Sequence, residues 1–267
     1  MKFVPIALML LVLGASGYGQ NIQQPSSNGG SFYFAWGYNR DTYSKSSIRF
    51  MDRSTDDYDF ILHQAKAKDQ PDFHDLLHTP ISVPQYIINI GYFFNDKHDL
   101  GIELSWDHLK YVVTDNQVMH LTGDIRGVHY DQDTLVTPSF VHYEHTNGNN
   151  YGMVNLVKRF TLLRSTNGNH RLSALVKGGV GLLVPKTDSR ILGGHNDGPF
   201  RVSGFVLGSS VGLRYDLFRN FFLETGFKGA YADYTSAKVI NAGRANHHFL
   251  SLEYIWAAGF NIPIGKR

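Results

Sequence analysis

The chain has 267 residues, a formal net charge of +2, no cysteine and a hydrophobic share of only 42%, set against 13% aromatics and 27 glycines. No basic stripe or nucleic-acid motif appears, so no nucleic-acid partner is expected, and the missing cysteine rules out a lipoprotein anchor. High aromatic and glycine content without long apolar runs favours strands in which every second residue is apolar.

Lys2, the apolar stretch 3–13 and the small residues Gly14, Ala15, Ser16 and Gly17 read as a secretory signal. The apolar core is too short for a spanning helix, so cleavage is expected near Gly19 and residues 1–19 are set apart. Residues 20–30 (QNIQQPSSNGG) read as a flexible lead-in on the periplasmic side, and 31–267 as one β domain.

Strand one starts at Ser31, with Phe32, Phe34, Trp36 and Tyr38 on one face and Tyr33, Ala35, Gly37 and Asn39 on the other. Strand two covers 84–94, with Tyr86, Ile88, Ile90, Tyr92 and Phe94 outward. Strands three to seven are expected at 100–113, about 150–162, 171–184, 201–215 and 221–234. The eighth covers 248–264 and alternates most clearly, with Leu250, Leu252, Tyr254, Trp256, Ala258, Phe260, Ile262 and Ile264 on one face. Short connectors rich in Asn, Asp and Gly (95–99, 165–169, 216–220) alternate with long ones (41–83, 115–149, 185–200, 235–247). In the first long loop, 47–51 and 58–66 can extend a hairpin with 52–57 at its tip, and a helical turn is expected around 75–78.

This pattern predicts an all-β protein: a closed, antiparallel, up-and-down transmembrane β-barrel of eight strands, with short periplasmic turns and long extracellular loops. Ten strands would require 47–51 and 58–66 to span, and their charges make lipid exposure costly. Charged residues in mid-strand must then face the lumen: Glu103, Asp107, Glu224 and Glu253 against Arg159, Lys177, Arg214 and Lys228. Four acids against four bases suit a filled, charge-compensated interior, because an unpaired ion there costs several kcal/mol. Gly91, Gly179, Gly181, Gly208, Gly212, Gly226 and Gly259 would make room for them. Lys158 falls on the lipid side and calls for a bulge or for snorkelling to an interface. Trp36, Tyr38, Tyr86, Tyr92, Trp106 and Trp256 are expected as membrane-interface anchors.

The segment 142–148 (HYEHTNG) is the one stretch that invites a catalytic reading. It partly resembles the catalytic strand of outer-membrane hydrolases of lipid A and phospholipid, which carries a His, a Ser two positions on and then Asn. Here Asn147 stands where the Ser would be, and His145 with Glu144 is the pair that such an enzyme would use. The ten histidines in or near the loops (among them His63, His120, His142, His145, His247 and His248) show no metal-ligand spacing, so no metal and no cofactor is expected.

The strand patterns of 32–38, 85–94, 101–113 and 249–264 resemble those of the small outer-membrane β-barrel proteins of Gram-negative bacteria, the OmpA/OmpX-like eight-stranded class. SWDHLKYVV (105–113) and YEHTNGNNY (143–151) look like stretches of an uncharacterised family within it. The resemblance implies the architecture and no particular activity. Barrels of the class commonly end on an aromatic, whereas this chain ends IPIGKR, leaving Phe260 to serve instead. Three readings follow. The first is a non-enzymatic barrel with a filled lumen, set among outer-membrane lipid and lipopolysaccharide, whose loops 41–83 and 115–149 bind an envelope partner. The second is a lipid A or phospholipid deacylase using His145, Glu144 and a loop Ser or Thr near the outer leaflet, and the third a narrow pore or small-ligand carrier.

Overall fold

The computed structural model describes residues 30–70, 85–94, 99–218 and 220–264. The expected signal segment, nearly all of the lead-in, the turn at 75–78, most of the 95–99 connector and the last three residues lie outside them. The described residues form fifteen strands and no helix: β1 (Ser31–Tyr43), β2 (Ser46–Asp52), β3 (Tyr58–Ala65), β4 (Ala67–Lys68), β5 (Tyr86–Phe93), β6 (Leu100–Val113), β7 (Gln117–Ile125), β8 (Val128–Val136), β9 (Val141–Arg164), β10 (His170–Pro185), β11 (Asp188–Ile191), β12 (Gly194–Asp197), β13 (Gly204–Leu217), β14 (Phe221–Lys238) and β15 (Arg244–Pro263).

Eight of these close a ring in the order β1, β5, β6, β9, β10, β13, β14, β15. The seam pairs β1 with β15 antiparallel from Ser31 against Pro263 to Tyr43 against Ser251. A closed ring satisfies every ladder hydrogen bond internally, which is what a lipid surround demands. Its outer face carries Phe32, Phe34, Ile90, Leu104, Leu156, Leu182, Leu213, Leu252, Phe260 and Ile262, all exposed. An apolar band on a closed antiparallel ring is the architecture of a transmembrane barrel, as the period-two alternation predicts.

Several boundaries differ from the sequence reading, most of all in the fourth spanning strand. β9 begins at Val141 rather than near 150, because its ladder with β6 resumes beyond an irregularity at Leu109–Tyr111 and pairs Tyr111 with His145 and Val112 with Glu144. The stretch 115–149 is therefore not an irregular loop. It holds the hairpin β7–β8, which turns on Arg126 and Gly127, both at positive φ (51° and 77°), and then the outer end of β9. The hairpin expected within 47–66 is present as β2–β3. β2 continues along β15 past the end of β1, pairing Arg49, Phe50 and Met51 with Asn246, Ala245 and Arg244. β3 then pairs with β7, and β11 with both β9 and β12. Lys158 stands on the outer face opposite Leu100 and Val176, near the periplasmic end, with Nζ 5.6 Å from the Phe160 ring centroid.

These additional strands enclose an apolar core above the membrane band. Ile48, Phe50, Tyr58, Phe60, Leu62, Met119, Leu121, Tyr143, Leu183, Tyr234 and Phe249 are all buried in it. The barrel thus has two interiors: a charged one within the membrane and an apolar one outside it.

Candidate functional site: the charged lumen and its aromatic seal

Inward positions alternate along each strand, so the lumen side chains lie in levels. Nearest the periplasm, Arg159 bonds Asp99 through Nε and Nη2 at 2.9 and 2.6 Å, with its guanidinium 4.3 Å from the Phe93 centroid. At the same end Asp216 accepts from Arg171 at 2.9 Å, from Arg214 at 3.3 Å and from the Asn261 amide at 2.8 Å. Arg214 also donates to Asn261 and lies flat on Phe222. In mid-lumen Lys177 bridges Glu103 (2.8 Å) and Glu224 (2.7 Å), and Glu103 also accepts the Tyr33 hydroxyl proton at 2.8 Å. Higher up, Lys228 contacts Asp107 closely and lies 3.6 Å from Glu253.

All eight charged residues singled out in the sequence face this interior. The structure divides them into separate levels and adds four partners, Asp41, Asp99, Arg171 and Asp216. Asp99 and Asp216 sit at strand ends, where an aspartate reads as a turn former. Large rings fill the spaces between levels over glycines: a Cβ on Gly91 would overlap the Tyr33 ring, and one on Gly259 the Phe222 ring. A cavity of about 30 Å³ remains, lined by Glu103, Ser105, Asp107, Asn155, Lys177 and Lys228 with their neighbours. That is room for one or two waters.

Above the charges the interior becomes aromatic. Tyr111 stacks on Phe249 at 4.6 Å, Tyr234 on His247 at 4.9 Å and His145 on Tyr234 at 5.0 Å. The Ser46 hydroxyl donates to the His248 carbonyl, so His247 Nδ1–H donates to Ser46 (3.2 Å) and Nε2 accepts from Tyr143 (3.3 Å). Burial pushes the His145 imidazole down to about 3, and both its ring nitrogens lack a hydrogen-bond partner.

His145 and Glu144 are therefore not brought together. Adjacent residues of a strand point to opposite faces, and Glu144 lies on the outer side of β9 beside His142 and Thr146. Its carboxylate accepts from Thr146 at 2.6 Å and pairs with His142 Nε2 at 3.3 Å, while His142 Nδ1 reaches Asp115 at 2.8 Å. Hydrogen bonding to Glu144, then to Asp115, lifts His142 to about 9 against the opposing effect of burial. Burial works against ionised Glu144, but the bonds from His142 and Thr146 outweigh it and hold the carboxyl low. Among the described residues no hydroxyl is bonded to the imidazole of His145, whose nitrogens are unpartnered, or of His142, whose nitrogens meet carboxylates, as a nucleophile at this position would require. Among the described residues no three His, Cys, Asp or Glu side chains are arranged to hold a metal.

The six aromatics expected at the membrane interface, Trp36, Tyr38, Tyr86, Tyr92, Trp106 and Trp256, lie on the outer face. Trp36 packs against Tyr38 (4.9 Å) and Tyr38 against Trp256 (6.2 Å). Tyr86 stacks on His108 (4.9 Å), Trp106 lies over Gly152, and Tyr92 packs on Phe32 (4.7 Å) near the periplasmic end. On the extracellular hairpin β7–β8, Val118 and Leu135 form a cross-strand pair at 68% and 55% exposure.

No protein-family model matches the chain, and no curated protein is similar to it. Among solved structures it is similar to Ail, the attachment invasion locus protein of Yersinia pestis, at 11% identity and a TM-score of 0.33, over 88% of this chain and 99% of that one. The outer membrane protein OprG from Pseudomonas aeruginosa is similar at 14% identity and a TM-score of 0.37, over 88% of this chain and 97% of that one. Neisserial surface protein A is similar at 9% identity and a TM-score of 0.30, over 86% of this chain and 99% of that one. The closed ring of eight antiparallel strands with its apolar outer band gives the chain the architecture of the small outer-membrane β-barrels.

Proposed function

We propose that the protein is an integral outer-membrane barrel that does not conduct and that serves as a rigid base for an extracellular binding surface. The observation that carries this reading is the sealed outer end. Charges paired across the lumen lie beneath a buried aromatic and apolar core, so the strands above the membrane are a packed scaffold. Rigid elements hold a binding surface at low entropic cost. The surface offered is the outward face of β7–β8 with its apolar pair Val118 and Leu135, surrounded by the lipopolysaccharide leaflet. Residues 1–19 would be the export signal.

The test has two arms. In planar bilayers the purified protein gives no conductance steps, and a steady single-channel current would end the reading. A photo-crosslinking side chain at position 118 or 135 in whole cells yields a discrete adduct, whereas one at the lipid-facing position 156 yields none of that mass. No adduct from either hairpin position would remove the partner.

A further inference from the structure

Where the charged lumen meets the aromatic seal, buried oxygen acceptors outnumber the donors that could serve them. Asp41 and Glu253 are direct cross-strand partners in the β1–β15 seam and are 5% and 0% exposed. Gln85 Nε2 donates to one oxygen of Asp41 at 2.6 Å, and the other oxygen has no partner. Neither Glu253 oxygen has a partner at hydrogen-bond geometry: Lys228 stands 3.6 Å away and is engaged by Asp107, and Asn39 lies near the carboxylate without meeting that geometry. The Gln85 amide oxygen and both polar atoms of Asn39, 4% and 1% exposed, are also unsatisfied. Asn39 lies two residues before Asp41 on the same inward face, beside Glu253.

Charge tells the same story. The groups acting on Asp41 include Glu253, Asp69 and Asp107 against Lys228, and Asp69 has Arg40 at 3.3 Å. Among the described residues four carboxylates thus share two cationic groups, leaving two negative charges in excess. Uncompensated, that arrangement would be strongly destabilising.

We infer that Asp41, Glu253, Asn39 and Gln85 form a buried site for one hard divalent cation of the calcium type, completed by water. An all-oxygen set of two carboxylates and two amide oxygens suits Ca²⁺, which takes six to eight oxygens and accepts amides and waters readily. Nitrogen- and thiolate-preferring metals find no ligand among these four. Two positive charges balance the excess, and the cation supplies the partner that each orphaned oxygen lacks. It also ties the two strands of the seam together beneath the aromatic core.

The full chain is refolded into detergent with EDTA or with excess Ca²⁺, and unfolding midpoint and calcium stoichiometry are measured. One Ca²⁺ per chain is expected, with a midpoint about 5 °C or more higher at a hundredfold excess over Kd. Asp41→Asn with Glu253→Gln should raise the EDTA midpoint and abolish the calcium response. Should that variant not fold, Asn39→Ala and Gln85→Ala, which keep both carboxylates, should each weaken calcium at least tenfold. Absence of stoichiometric binding by the native chain overturns the inference. So does a calcium response that survives in the double variant, or affinity unchanged in both alanine variants. An EDTA midpoint raised in the double variant while the native chain ignores calcium would mean that the carboxylates hold only protons.

Discussion

The guanidinium of Arg214 lies 3.3 Å from the centroid of the Phe222 ring, face on, at the periplasmic end of the lumen. Phe222 in turn lies over Gly259, and Arg214 reaches Asp216 and Asn261 with its remaining donors. One side chain therefore meets an acid of its own strand β13, a ring of β14 and an amide of β15. Lysine cannot reproduce that flat, forked geometry. Arg214→Lys is expected to lose about 2 kcal/mol, read as a lower guanidinium midpoint by tryptophan fluorescence. An unchanged midpoint would show that charge alone matters there.

Among the described residues Lys177 is the cation that pairs with both Glu103 and Glu224. Lys177→Met leaves two buried carboxylates facing each other and should cost about 3–5 kcal/mol. The triple change with Glu103→Gln and Glu224→Gln removes the uncompensated charge and should recover much of the loss. Equal stability of single and triple variants would contradict the pairing.

The aromatic seal should weaken in acid. His145, held down to about 3, and His247, also pushed well down by burial, face Tyr111, Tyr143 and Tyr234, with Glu144 and His248 the nearest charges. An imidazole whose folded pKa lies below its unfolded value of about 6.5 stays neutral in the fold while the unfolded chain takes up a proton. Its contribution is whole above about pH 6.5 and is lost as pH falls toward 3. Carboxylates titrate in the same range, so the informative quantity is a difference. Between pH 7 and 4.5 the native chain should lose about 2 kcal/mol more than His145→Phe. Parallel pH profiles would mean that His145 is charged in the fold.

Gly91 lets the Tyr33 ring pass over β5 to Glu103 on β6. Gly91→Val has no space on the inward face and should displace Tyr33, at a cost of about 2–3 kcal/mol. Adding Tyr33→Ala to it should cost less than the two separate losses together, which a double-mutant cycle would measure.

The eight spanning strands were legible because lipid and lumen impose opposite demands on alternate residues, and β6 coincides with its expected span, 100–113. Above the membrane that contrast fades. In β7 the buried Met119, Leu121 and Ile125 alternate with His120, Thr122 and Asp124, but no lipid band enlarges the difference, and the stretch reads as a loop. His145 keeps the odd-numbered inward alternation of Tyr151 and Met153, but with the strand expected to begin near 150 it read as a rim residue rather than a buried one. Individual pairings such as Arg159 with Asp99 depend on cross-strand register, which a single sequence states only weakly.

β15 meets two successive parts of the chain along one edge, β1 on its inner stretch and β2 on its outer one. Until that last strand arrives, the molecule has an open ladder facing lipid and, at the same time, an open apolar pocket facing water. Pairing of that one strand covers both, so closure of the ring and closure of the outer core depend on the same strand. A chain cut short before residue 244 would fail at both ends of the barrel at once, whereas one lacking β7 and β8 would still have a ring to close.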